Sequence, residues 1–514
     1  MILIYHDNKK VVKIISENNE IIPFNNKASI AFVLMELAKK YSQCKIVWCH
    51  QKYSEALNLD KIDTVFYHDK MMLSYNPDAV NFLGNRIGYV EESPFIKINK
   101  KVRYPTWQMS SSVGIIHSDV LMAIDNQIKQ QANFDYYLNS IAKISMPLGL
   151  LCYSEPELLK NHSFLSERKP SDYTLFKFVK QHYKTRWVFL LFLNLMIYEL
   201  KFPLLALVYS LFFKKRNDYL IKLDKIEVNV SSADDLNSEK IDVIIPTIGR
   251  KQYLYDVLKD LAQQTHLPHK VIIVEQNPLE ESISELDYLT TESWPFVIKH
   301  IFTHQAGACN ARNRALAEVE SEWVFLADDD IRFSSFCIEE AFDLILKYRN
   351  KVVSLNCVRT NQKMINNRVI QWNAFGSGCS IVKSNVIKNI QFDKRYEFGF
   401  GEDSDFGMQI RNTGNDILYF PNPQILHLKA PMGGFRTKTD LIWNQDKIKP
   451  KPSPTVMLYQ LLHHTKEQQK GYKTTLFIKY YSAQSIKNPL IYFFNFKKEW
   501  KQSIYWANYL MSKP

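Results

Sequence analysis

The chain has 514 residues, of which 46% are hydrophobic and 13% aromatic. That suits two or three folded domains and excludes a disordered or low-complexity polymer. The formal charge is +12, and seven scattered cysteines (Cys44, Cys49, Cys152, Cys309, Cys337, Cys357, Cys379) form no Cys-x-x-Cys pair, which argues against a disulfide framework or a zinc site and for a reducing compartment.

The N-terminal stretch Met1–Asp7 reads as a short strand running into charge, without the features of a signal peptide. Residues 1–175 mix strand-like runs (Lys45–Trp48, Thr64–Tyr67) with a helical one (Ser29–Lys40), as an α/β domain would. Tyr67-His-Asp69 follows an apolar run and could be a worn copy of an acidic site found later. Nothing else here demands chemistry, and packing or partner binding is the expectation. His50, His68 and His117 read as ordinary core or surface histidines.

Residues 176–216 differ in character. The apolar run Trp187–Tyr198 is broken by Glu199-Leu-Lys201 and resumes as Phe202–Phe213, with Pro203 inside and basic residues at both ends. A simple span needs about 20 apolar residues, and Glu199 and Lys201 would sit mid-bilayer at high cost. An interfacial or re-entrant helical pair broken at Pro203 fits better; a buried interdomain helix pair is the alternative. Residues 217–240 are polar and read as a linker.

A new domain opens at 241. Strand Asp242–Thr247 ends in Pro-Thr and a glycine turn. A helix (Lys251–Gln263), strands Lys270–Asn277 and Phe296–Thr303, and a helix (Gly307–Glu320) follow. Strand Trp323–Ala327 then delivers Asp328-Asp-Asp330. This alternation predicts a parallel sheet whose ligands sit outside the strands' carboxyl ends. Extended backbone points Asp328 and Asp330 the same way. Three adjacent carboxylates repel unless donors or a cation compensate, and a hard ion carrying a diphosphate would do so. A solvated turn capping a helix near Ser334 is the plainer reading.

Further on, the glycine-rich Glu397–Gly401 leads into a helix, Ser404–Asn412, opened by Glu402, Asp403 and Asp405. A strand (Asp416–Phe420), a proline loop and His427 follow. Pro431–Arg436 reads as a flap, and Lys447–Pro454 as a proline-rich linker before helices Thr455–Gln469 and Gly471–Ser485. From Lys429 on, fifteen Lys/Arg face four Asp/Glu, a net +11 of the chain's +12. A basic, aromatic tail suits an anionic membrane surface or nucleic acid; a solvated helical face is the alternative.

Several ordered pieces carry a resemblance: Ile245-Pro-Thr-Ile-Gly-Arg250, Val274-Glu-Gln-Asn277, Gly307–Asn313, Asp328–Asp330, Phe375-Gly-Ser-Gly378, Gly401–Phe406 and His427. Together they resemble the family-2 glycosyltransferases of bacterial type. The resemblance implies an α/β, GT-A (Rossmann-like, nucleotide-binding) catalytic domain over 241–436. It would stand beside a separate N-terminal α/β domain, itself a candidate degenerate GT-A-like domain, and a helical tail over 437–514. It further implies that Pro246, Thr247, Arg250, Glu275, Asn277, Arg312, Asp328 and Asp329 hold a nucleotide-sugar. Asp328, Asp330 and His427 would hold Mn²⁺ or Mg²⁺. Asp403 would be the base with Glu402 its neighbour. From its place in the first turn Asp405 reads as a helix-dipole residue, and Trp372 and Phe375 read as acceptor-site candidates, since aromatic faces stack on sugar rings, or as core. Glu275-Gln-Asn departs from the family's usual Asp with Asp-Gly-Ser behind it, which puts base identity in doubt. The expected activity is metal-dependent, inverting transfer from a UDP- or dTDP-sugar to a glycan or lipid-linked acceptor in cell-surface polysaccharide synthesis. The expected location is cytoplasmic, peripheral on the inner face of the cytoplasmic membrane, with no nucleic-acid partner. The alternatives are a nucleotidyltransferase of related fold and a non-catalytic binding protein.

Overall fold

A computed structural model describes residues 1–125, 128, 133–160, 170–216, 221–228, 239–362, 364, 366–430 and 441–513. The chain divides into two compact units: Met1–Asn229 with His464–Tyr480, and Val230–His463 with Tyr481–Pro514. The expected linker (217–240) falls largely outside the described residues, and the expected flap (431–436) wholly so.

The first unit is built on β1 (Ile2–His6), β2 (Val11–Ser16), β3 (Lys45–His50), β4 (Met71–Tyr75), β5 (Tyr104–Pro105), β6 (Val113–His117) and β7 (Leu151–Ser154), in the order β2-β1-β3-β6-β4-β7-β5. Its helices are α1 (Ile30–Lys40), α2 (Ile62–Val65), α3 (Ser118–Ile124), α4 (Phe134–Ser145), α5 (Asp172–His182), α6 (Arg186–Glu199) and α7 (Leu204–Leu211). The helix expected from Ser29 is α1: the Ser29 hydroxyl accepts the Phe32 N–H and supplies the missing first-turn acceptor. Where a strand is expected at Thr64–Tyr67, Thr64 and Val65 instead end α2, and Ile62, Val65 and the following Phe66 reach the core.

The second unit alternates β8 (Ile241–Thr247), α8 (Lys251–Ala262), β9 (Lys270–Gln276), α9 (Tyr288–Thr291), β10 (Val297–Thr303), α10 (Ala308–Leu316), β11 (Trp323–Ala327), β12 (Ile331–Phe333) and α11 (Cys337–Tyr348). Next come β13 (Val352–Arg359), β14 (Ile370–Gln371), β15 (Cys379–Lys383), α12 (Ser384–Ile387), α13 (Glu402–Asn412) and β16 (Leu418–His427). The sheet order is β10-β9-β8-β11-β15-β13-β16-β12, with β14 against β16. The first four strands are parallel, as the alternation predicts. Their side chains are buried on both faces in β8, β9 and β11, which is why these runs read as continuously apolar.

Two differences bear on the site. α13 starts at Glu402, not Ser404, so Glu402 and Asp403 lie inside its first turn. β16 runs unbroken to His427 through Pro421 and Pro423. Its pairing with β13 jumps from Leu355↔Phe420 to Asn356↔Gln424, so both prolines sit in a bulge that needs no ladder donor.

The C-terminal helices are α14 (Pro454–His463), α15 (Lys466–Ala483) and α16 (Pro489–Met511). Most of α15 belongs to the first unit. There Gln468 donates to the Glu91 and Ser93 carbonyls, and the Thr474 hydroxyl donates to Asn194 Oδ1 at 2.6 Å. The 437–514 stretch is therefore shared between the units. No helix among the described residues is long and apolar enough to cross a membrane.

Candidate active site

At the carboxyl end of β11 the three aspartates part company, because extended backbone alternates its side chains. Asp329 turns towards the β8 turn. It accepts from the Thr247 hydroxyl at 2.7 Å and from Arg250 Nη1 at 2.5 Å. Burial pushes its carboxyl up to about 6, against the pull of Arg250 and Thr247. Asp328 and Asp330 turn the other way. Arg312 Nη2 donates to Asp328 Oδ1 at 3.0 Å. Asp330 Oδ1 lies 3.2 Å from His427 Nε2, and its Oδ2 accepts the Ala430 N–H at 2.8 Å. Burial opposes ionisation of Asp330, yet the bonds from His427 and Ala430 and the Arg250 charge win, and its carboxyl lies below the ordinary range. The same contact raises His427.

One ligand atom each from Asp328, Asp330 and His427 lie within 4.8 Å of one another. Two carboxylates and an imidazole suit Mn²⁺ or Mg²⁺. β12 and β16 place the histidine, since Ile331 pairs with His427 in register. Gly378 makes room from below: a Cβ there would lie 2.1 Å from Asp328 Oδ2.

These groups wall a cavity of about 670 Å³ lined also by Pro246, Glu402, Asp403, Ser377 and Glu397. Burial raises the Asp403 carboxyl, against Arg312 and Ser377 and with Asp328. Its Oδ1 is buried with no hydrogen-bond partner among the described residues. Burial and the Asp403 charge push Glu402 up to about 7. Both carboxyls are thus raised, which strengthens a carboxylate as a general base. Asp405 points elsewhere. It accepts from Tyr396 and Gln409 and lies 2.6 Å from His463 Nε2, fastening α13 to α14.

Glu275 and Asn277 line a smaller adjoining cavity of about 120 Å³, beside Thr247 and Arg250. Glu275 accepts from Ser284 at 2.5 Å and from the Glu285 N–H, and lies 2.9 Å from His300 Nε2. Asn277 caps its own turn by accepting the Leu279 N–H. Trp372 and Phe375 line neither cavity. Phe375 is buried against Phe406, and Trp372 packs on Tyr419. Phe375 is thus a core residue, while Trp372 is half-buried.

Glu397, in the glycine-rich stretch before α13, carries no motif that marks it. In the structure its carboxylate caps α10, accepting the Cys309 and Asn310 N–H groups at 3.0 and 2.9 Å. Gly307, with φ +145°, is the position that admits it, since a Cβ would lie 2.5 Å from the Glu397 carboxyl carbon. The N-terminus of α10, where an anion is favoured, is therefore held by a carboxylate of the chain itself. Cys357 and Cys379 also line the cavity. No motif marks either cysteine, because each reads as a buried strand residue.

Residues 242–406 match Glycosyl transferase family 2. The catalytic domain belongs to that family. As a family-2 glycosyltransferase domain it has the α/β, GT-A architecture expected of it, with a further α/β unit before it and helices after. No curated protein matches the chain. Among solved structures, S. aureus TarS 1–349 is similar at 19% identity and TM-score 0.31, over 37% of this chain and 60% of that one. The same protein in complex with UDP-GlcNAc is similar at 17% and 0.33, over 46% and 70%. GalNAc-T7 with UDP, GalNAc and Mn²⁺ is similar at 12% and 0.30, over 38% and 44%.

Proposed function

We propose that this glycosyltransferase is metal-dependent and inverting, and moves a sugar from a UDP- or dTDP-sugar to a glycan or lipid-linked acceptor in cell-surface polysaccharide synthesis. The observation that carries the reading is the convergence of Asp328, Asp330, His427, Arg312 and Asp403 on one cavity. Asp328, Asp330 and His427 would hold Mn²⁺ or Mg²⁺, which when bound neutralises charge on the leaving diphosphate. Arg312 adds fixed positive charge on the same wall, and Thr247, Arg250, Glu275 and Asn277 line the side where the nucleoside would sit. Asp403 takes the proton of the acceptor hydroxyl, which does not ionise by itself near neutral pH. A single displacement by that hydroxyl needs no protein nucleophile and inverts the anomeric carbon. The enzyme would work at the inner face of the cytoplasmic membrane, in contact with the lipid surface.

Release of nucleoside diphosphate is measured across a panel of nucleotide-sugars, with and without Mn²⁺. Metal-dependent release from one uridine or thymidine donor is expected. Release of inorganic diphosphate from a nucleoside triphosphate instead would make the protein a nucleotidyltransferase. No turnover and no nucleotide binding would make it a non-catalytic protein.

A further inference from the structure

We infer that the outer faces of α6 and α7, with the turn between them, dock on an anionic lipid surface and lie in its interface without crossing it. This rests on the membrane-surface reading above and gives that contact a location.

The two helices are apolar on both sides, and the protein uses only one. Val188, Leu191, Leu195, Ala206 and Leu207 are buried in the first unit's core. On the opposite side Leu200, Phe202, Leu205 and Phe212 are 80, 68, 73 and 82% exposed. A soluble surface rarely leaves so many large apolar side chains together without a partner. The backbone sets up this display. Leu200 ends α6 in the left-handed region at φ +53°, and Pro203 precedes α7, so the turn carries Leu200 and Phe202 outward. α6 has 14 residues and α7 has 8. At 1.5 Å per residue these reach roughly 21 and 12 Å, short of the roughly 30 Å hydrocarbon core.

Charge selects the partner. Glu199 is the segment's acid, and it is drawn inward, 2.7 Å from Arg86 Nη2 and accepting from the Tyr89 hydroxyl. Lys201 lies 3.5 Å from the same carboxylate. The exposed charges at the ends of the pair are Lys184, Arg186, Lys214 and Lys215, all positive. A second copy of this chain on a two-fold axis would press like charges together. Anionic headgroups would neutralise them while acyl chains take up the leucines and phenylalanines.

Full-length protein is floated with phosphatidylcholine vesicles with and without phosphatidylglycerol, at low and high salt. Wild type is expected to rise with the anionic vesicles and less so at high salt. Leu200→Glu/Leu205→Glu should lose flotation while keeping the wild-type melting temperature and nucleotide binding. Lys214→Gln/Lys215→Gln should weaken it by about fivefold per lysine. If wild type does not float, the membrane reading itself fails. If wild type floats and Leu200→Glu/Leu205→Glu floats equally, the inference fails and the contact lies elsewhere, for example at the exposed Leu490 and Phe494 of α16. If light scattering shows a wild-type dimer that the leucine variant dissociates, the face is an interface between copies and the inference is overturned.

Discussion

In the first unit, strands β1, β3, β4, β6 and β7 lie side by side as β1-β3-β6-β4-β7, and in the second, β8, β11, β13, β15 and β16 lie as β8-β11-β15-β13-β16. In chain order both run first, second, fourth, third, fifth. The pairings also agree: parallel, antiparallel, antiparallel, parallel. Ladders align them residue by residue. Cys49 opposite Val113 answers to Ala327 opposite Cys379, so His50-Gln-Lys52 stands where the second unit has Asp328-Asp-Asp330. Tyr67-His-Asp69, read from sequence as the worn acidic copy, lies before β4 instead. Its Asp69 sits 3.5 Å from His117, a residue that caps α3. Asp135 is the second residue of α4, as Asp403 is of α13. Asp135 accepts the Ser111 N–H at 2.7 Å, and Ser377 bonds Asp403. Each serine stands two residues before its strand. The first unit thus keeps a carboxylate in a serine cradle, and at the positions of Asp328, Asp329 and Asp330 it has His50, Gln51 and Lys52. After β7 it has Glu155, tied to Arg103 at 2.5 Å. A shared strand order does not by itself make a site.

The sharpest way to break that comparison is to neutralise both cradled carboxylates in turn. Asp403→Asn should lower transfer by about a hundred- to ten-thousand-fold and leave titration of Mn²⁺ and nucleotide nearly intact. Asp135→Asn should leave turnover unchanged and cost about 1–3 kcal/mol of stability from a buried bond weakened, read by chemical denaturation. Turnover that depends on Asp135 would mean that the first unit is not silent. Asp330→Asn comes next in size. Calorimetry should show the Mn²⁺–nucleotide pair bound at least about tenfold more weakly, and unchanged titration would remove Asp330 from the cation site.

Much of the second unit was legible from residues alone, and the reasons are local. Trp323–Ala327 is a strand buried on both faces, and its boundaries are those of its apolar run. Asp328 and Asp330 face together because a strand has a period of two. What could not be read depends on partners distant in sequence. β16 passes two prolines because they sit in a bulge with no β13 residue opposite them. Phe375 packs on a helix some thirty residues later. Glu397 caps a helix almost ninety residues earlier, through two N–H groups that no motif announces. The first unit's likeness to the second was hidden for the same reason. His50-Gln-Lys52 shares no chemistry with three aspartates, and only the ladder equates them.

Acidity offers a smaller and signed test. Glu402 is pushed up to about 7 from an ordinary carboxyl value. Its ionised form is disfavoured in the folded protein, so this group's contribution to stability is lost as pH rises from about 5 to about 7. Activity moves the opposite way, because Asp403, also raised, must be ionised to accept a proton. Transfer should therefore fall as pH drops and Asp403 takes up its proton, at a pH above that of an ordinary aspartate. Glu402→Gln should gain stability relative to wild type between pH 5 and 8. A melting-temperature difference that stays flat across that range would contradict the raised value.

The smallest effect is expected at Glu397, and it tests what the second unit's extra carboxylate is for. Its two backbone bonds occupy the N-terminus of α10, on the wall that also carries Arg312. Burial raises this carboxyl, against those same N–H groups, so the contact is a compromise between desolvation and the helix end. A donor diphosphate arriving at that wall competes with it for the same two donors. Glu397→Ala removes the competitor and leaves the N–H pair open to phosphate. An anion at a helix N-terminus gains about 0.3–1 kcal/mol, which corresponds to about two- to fivefold in affinity. The donor KM should fall by that factor with kcat little changed. A KM that rises instead would mean that Glu397 orders the loop which closes on the donor, and that the cap is part of the binding site and not a rival for it.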